Sequence, residues 1–231
     1  KAPATSLPKK NLAPVVAQAK PRVFLINRSD AQQSLILAGL LAPSSKAPDQ
    51  LALNVANGAF GGSFTSRINM NLREDKHWAY GANSFLEDAV GQRPMFLYAP
   101  VQTDKTAPSV AEMLKESRAV IGDRPLTAAE IAKIKDNKVR ALPGAFETGD
   151  AVMGTLENIV KFARPDDYVQ TLKARTEAVT PAEAESALKQ VVDPQAITWV
   201  VVGDLSKIEK PVRALGIGEV EVLDADGHAG R

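Results

Sequence analysis

The sequence predicts an α+β fold: a mostly antiparallel sheet with helices packed on one face. Three observations lead there. Strand-like runs open and close the chain, two alternating segments in its middle read as a hairpin, and a long helix-rich stretch separates that hairpin from the last strand. Elements grouped in this way favour segregated layers over the strand–helix alternation of a doubly wound sheet. The chain has 231 residues, 45% of them hydrophobic and 24% charged, a make-up suited to one buried core.

The elements follow in order. Residues 1–21 place Pro3, Pro8, Pro14 and Pro21 among Ala, Lys and Val with little periodicity, and read as a linker. Nothing there resembles the apolar core and small-residue cleavage site of a signal peptide, so a chain opening on a linker is expected to be the back part of a longer protein. Folded structure is expected over residues 22–212. Val23 to Ile26 is a short apolar strand, and Gln33 to Leu41 is a second. Pro48 opens a helix running to about Ala59 with Leu51, Val55 and Ala59 on one stripe, and Gly58, Gly61 and Gly62 interrupt it. Phe64, Ile68 and Leu72 repeat the spacing and predict a helix from Phe64 to Glu74, with Arg67 and Arg73 on its opposite flank. Trp78 to Asp88 and Arg93 to Gln102 alternate around Gly91 and Gln92 and predict the hairpin. From Ala107 to Val192 the pattern is helical. Thr127 to Glu130 and Thr180 to Glu183 are capping boxes, the second with Pro181 at the first helical position. Ala196 to Val202 is the last strand, stopped by Gly203 and Asp204, and residues 213–231 read as a tail.

Composition removes several functions. Lys plus Arg is 28 and Asp plus Glu is 27, so no strong field exists to hold nucleic acid. The apolar runs fall short of the ~20 residues that span a membrane. There is no cysteine, hence no disulfide, thiolate metal site or thiol nucleophile. The two histidines, His77 and His228, lie too far apart for H-E-x-x-H or H-x-x-E-H, which need two on one helical turn. Gly58 to Gly62 lacks the G-K-[ST] of a phosphate loop and suits helix termination. Glu74, Asp75, Glu87 and Asp88 read as solvated charges, and His77 as a surface or stacking residue.

The informative segment is Asn57 to Asn83, N-G-A-F-G-G-S-F-T-S-R-I-N-M-N-L-R-E-D-K-H-W-A-Y-G-A-N. A glycine-rich turn, then S-R-I, then L-R-E, then A-Y-G resembles the second-domain signature of pitrilysin (insulinase) family zinc peptidases. The run Val23 to Ile36, with Arg28, Ala31, Gln32 and Ser34, resembles the opening strands of those domains. The resemblance implies one half of a two-domain clamshell. In that family the first half carries H-x-x-E-H and a distal Glu, and the second supplies an Arg and a Tyr seven positions apart. Arg73 and Tyr80 match that pair, and Leu51 to Asn57 has no histidine where the zinc-binding half would carry its own. Lys76, His77 and Trp78 stand where many relatives have a small glycine-containing segment.

The resemblance therefore implies a substrate-binding, non-catalytic half of a zinc endopeptidase, inactive alone, with zinc held by a partner H-x-x-E-H domain in the same chain or another. Arg73 would position the peptide through its fork of donors, and Tyr80 would bind substrate and stabilise the oxyanion. Either residue alone reads as ordinary surface or strand chemistry; only the pair carries the inference. Arg67 reads as a structural ion pair. A peptide is expected to lie extended against a sheet edge, and relatives with proline-rich linkers imply the periplasm. The alternatives are a structural scaffold subunit and a peptide-binding module without peptidase activity.

Overall fold

The computed structural model describes residues 11–229. Among them, six strands and eight helices form an α+β unit. They are Arg22–Asn27 (β1), Gln33–Ala42 (β2), Gln50–Phe60 (α1), Arg67–Asn69 (α2), Asn83–Leu86 (β3), Arg93–Gln102 (β4), Thr106–Ile121 (α3), Ala128–Ala141 (α4), Gly149–Phe162 (α5), Tyr168–Ala178 (α6), Pro181–Lys189 (α7), Thr198–Gly203 (β5), Leu205–Ala214 (α8) and Glu219–Leu223 (β6). The sheet order is β3-β4-β2-β5-β1-β6. Three pairings are antiparallel and the two involving β1 are parallel.

Strand alternation sorts the sheet into two faces. Val23, Leu25, Ile36, Ala38, Leu40, Met95, Leu97, Ala99, Trp199 and Val201 are buried, and with Leu53, Phe60, Val110, Ile131 and Leu188 of the helices they form the core. The alternate residues Leu35, Leu37, Phe96, Tyr98 and Val200 are only half-buried, so the helices cover one face, as expected. Part of the other face is strapped by the segment before β1: Val15 donates to the Gln92 amide oxygen at 2.6 Å and accepts from its nitrogen at 3.1 Å.

Both capping boxes form as the sequence predicts, Thr127 with Glu130 and Thr180 with Glu183. Three expectations change. The hairpin exists, but its first strand is regular only over Asn83–Leu86. The helix expected from Phe64 begins at Arg67, because Ser66 is extended (φ −71°, ψ 158°). The folded unit also continues past residue 212: α8 runs to Ala214, and β6 pairs with β1 from Glu219 to Leu223. Of the linker expected over residues 1–21, residues 1–10 lie outside the described residues, as do residues 230–231 of the tail.

Candidate functional site

The segment that carries Arg73 is built from a tight turn and a short α-helix that widens into a π-helical turn. Gly61 and Gly62 both donate to the Asn57 carbonyl, and Gly61 in turn accepts from the Ser84 amide at 2.9 Å. A Cβ on Gly61 would collide with Ser84, so this approach of turn to strand requires glycine. α2 then buries Ile68 and continues as a π-helical turn over Met70–Asp75, burying Leu72. His77 closes it in the left-handed region (φ 57°), a conformation glycine adopts most easily. Its amide and the next return to the Arg73 and Leu72 carbonyls. Arg73 faces outward, its guanidinium 4.5 Å above the Phe64 ring and 2.9 Å from the Glu74 carboxylate.

Tyr80 owes its position to a bulge. Ala79 bridges Val101 and Asn83 opposes Tyr98, so four steps on this strand match three on β4. The extra residue falls in Tyr80–Ala82 and turns Tyr80 out of the sheet. The Ala82 amide, lost to the ladder, is taken by the side-chain oxygen of Asn69 at 3.0 Å. Tyr80 is 87% exposed, and its hydroxyl has no hydrogen-bond partner among the described residues. Arg73 and Tyr80 line one open cleft of about 560 Å³ with Gln32, Gln33, Trp78 and Gln102.

Two supporting residues escaped the sequence reading. Asn69, 4% exposed, donates to the Phe64 carbonyl at 2.6 Å while accepting from Ala82, so it joins the turn before Arg73's helix to the bulge after Tyr80. Phe64, assigned to a core stripe by spacing, is instead 64% exposed and stacks on Arg73. A buried Asn one turn before the arginine was the available signal, but its partners are set by tertiary structure.

The remaining charges sort clearly. Arg67 is structural, as expected: it pairs with Glu130 at 2.7 Å and donates to the Arg124 and Pro125 carbonyls. Burial raises the Glu130 pKa, but hydrogen bonds from Arg67 and Thr127, with the charge of Arg67, outweigh it and lower the pKa to about 2. His77 is exposed, with its Nδ1 3.1 Å from the Arg73 carbonyl. Asp88 is not merely a solvated charge. It meets the guanidinium of Arg93, which is 1% exposed, at 3.0 Å and latches the β3–β4 hairpin.

The edge groups at the start of β3, beside the cleft, are engaged within the domain. The Ser84 amide donates to Gly61 and its carbonyl accepts from Asn57, while the Ala82 amide is held by Asn69. An extended peptide therefore finds no free ladder groups at Ala82 and Ser84.

A zinc ion does not fit the cleft. Its lining offers Glu74 and His77 as possible ligands, fewer than the three protein ligands of a catalytic zinc site. A set of three, Asp224, Asp226 and His228, gathers in the exposed turn after β6. That set is without the H-x-x-E-H arrangement.

Comparison with known proteins places these features in context. The family described as the peptidase M16 inactive domain matches residues 2–138. An uncharacterized zinc protease of Mycobacterium leprae is 28% identical over 105 residues, covering 46% of this chain and 23% of that protein. The crystal structure of a peptidase M16 inactive domain from Pseudomonas fluorescens superposes with a TM-score of 0.72 at 18% identity, over 80% of this chain and 44% of that one. The periplasmic protease PqqL from Escherichia coli gives a TM-score of 0.68 at 14% identity, over 87% of this chain and 22% of that one. The chain thus spans less than half of these relatives, and at such identities the superpositions speak for the fold. Because the family match extends over more than half of its residues, the chain belongs to the peptidase M16 family as an inactive, non-zinc-binding domain.

Proposed function

We propose that this domain is the substrate-binding, non-catalytic half of a zinc-dependent endopeptidase, with Arg73 and Tyr80 as its working residues. The observation that carries the proposal is the opening of both side chains onto one cleft, with the Tyr80 hydroxyl unpaired among the described residues and directed outward by the bulge. A phenol hydroxyl donating to the scissile carbonyl stabilises the negative charge that develops there. A guanidinium stacked on Phe64 keeps its edge available to a backbone carbonyl or a carboxylate of the peptide. Zinc, bound by the H-x-x-E-H partner domain, would supply the activated water. Since the edge groups of Ala82 and Ser84 are already engaged, this half would meet the peptide there through side chains rather than ladder bonds. We also propose a periplasmic location, supported by the fold shared with a periplasmic protease; no helix among the described residues is long and apolar enough to cross a membrane.

The test is to measure zinc content and peptide cleavage for the chain alone and after mixing with an H-x-x-E-H domain of the family. The expected result is neither bound zinc nor cleavage alone, and cleavage in the mixture that requires Arg73. Cleavage by the chain alone would refute the division of labour. Peptide binding with no cleavage in any mixture would favour a binding module.

A further inference from the structure

A second concavity, of about 170 Å³, lies between the α5–α6 connection and the start of α1. Its charged lining consists of Lys46, Arg164 and Arg175, and no carboxylate lines it. We infer that this concavity binds a small oxyanion, a carboxylate or phosphate group, through the guanidinium edges of Arg164 and Arg175 with Lys46 beside them.

The arginines are organised before any ligand arrives. Phe162 is buried and ends α5, Ala163 turns left-handed (φ 49°), and the Arg164 amide returns to the Ile159 carbonyl at 2.9 Å. The Arg164 guanidinium then lies 4.4 Å over the Tyr168 ring and 5.2 Å from that of Phe162, while Arg175 lies 5.5 Å over Tyr168. Stacking uses the faces of the guanidinium planes and leaves their N–H edges for a ligand. Among the described residues, neither guanidinium nor the Lys46 ammonium forms an ion pair, whereas Arg67, Arg73 and Arg93 all do. Three unpaired cations around one depression form an attractive field for an anion, and preset side chains lower the ordering cost of binding.

The surrounding charges support the assignment. Asp49 and Glu183 line the adjoining groove that Arg175 also borders. The Glu183 carboxylate is already engaged by Thr180, and the carboxylates nearest in the chain, Asp49 before α1 and Asp166 and Asp167 in the α5–α6 connection, do not line the concavity. The concavity is also separate from the Arg73–Tyr80 cleft. It adjoins the far end of β2, nine residues from Gln33, or about 30 Å at ~3.3 Å per residue.

The experiment is calorimetric titration of the purified chain at constant ionic strength with inorganic phosphate, and with a short peptide carrying either a free C-terminal carboxylate or its amide. Saturable binding of phosphate or of the free acid is expected, with the amide silent, and the stronger ligand identifies the source of the anion. Arg164→Gln and Arg175→Gln should each weaken binding at least tenfold with an unchanged melting temperature. Arg140→Gln, an exposed helix residue, should leave it intact. Heats no larger than those of chloride at the same ionic strength, or full affinity in Arg164→Gln, would overturn the assignment.

Discussion

At the scale of single residues, the cleft depends on a side chain that does not line it. Asn69 holds the Phe64 carbonyl and the Ala82 amide at once, so it fixes both ends of the segment from Arg73 to Tyr80. Asn69→Ala removes two hydrogen bonds and strands a buried amide. It should lower stability by about 2–3 kcal/mol in denaturant unfolding and speed hydrogen exchange at Ala82. Unchanged exchange there would show that Asn69 does not hold the bulge. Arg73 and Tyr80 were paired through the resemblance of L-R-E and A-Y-G to a family motif, and their side chains line one cleft. The place of Phe64 was not legible in the sequence, since a four-residue stripe cannot reveal that the helix begins three residues later. His77 departs from a glycine-containing pattern, yet adopts the left-handed backbone that glycine would favour.

At the scale of elements, the Arg67–Glu130 pair binds α2 to the start of α4, and through it the cleft to the helical layer. The folded carboxyl lies near 2, against an ordinary value of 4.5. Its contribution is therefore complete above about 4.5 and is lost as pH falls toward about 2. Glu130→Gln should lower the melting temperature at neutral pH, and the variant and parent curves should converge near pH 2. A constant gap across that range would refute the ion-pair account. The capping boxes that start α4 and α7 were legible because Thr and Glu three residues apart report a local bond. β6 was missed although E-V-E-V-L alternates, because Gly216 and Gly218 before it read as a tail and its partner β1 is nearly the whole chain away.

For the whole molecule, the order of strands, helices, hairpin, helices and strand conveyed the α+β class. It did not convey that the sheet closes on its N-terminal strand from both sides. β1 lies between β5 and β6, so ending the chain after Ala214 would leave one of its edges unpaired and remove the Val220 carbonyl that Arg213 holds at 3.0 Å. Such a truncation should lose several kcal/mol of stability, on the scale of about 1 kcal/mol per net hydrogen bond. Chemical unfolding measures it directly, and an unshifted midpoint would restore the boundary at 212. The proposed role of this domain is to present Tyr80 to a peptide cleaved by a zinc-bearing partner domain. The most direct measurement is single-turnover peptide cleavage by the assembled halves with Tyr80→Phe. The rate constant is expected to fall about 100-fold, the scale of one oxyanion donor, with peptide affinity little changed. An unchanged rate constant would contradict the role given to Tyr80.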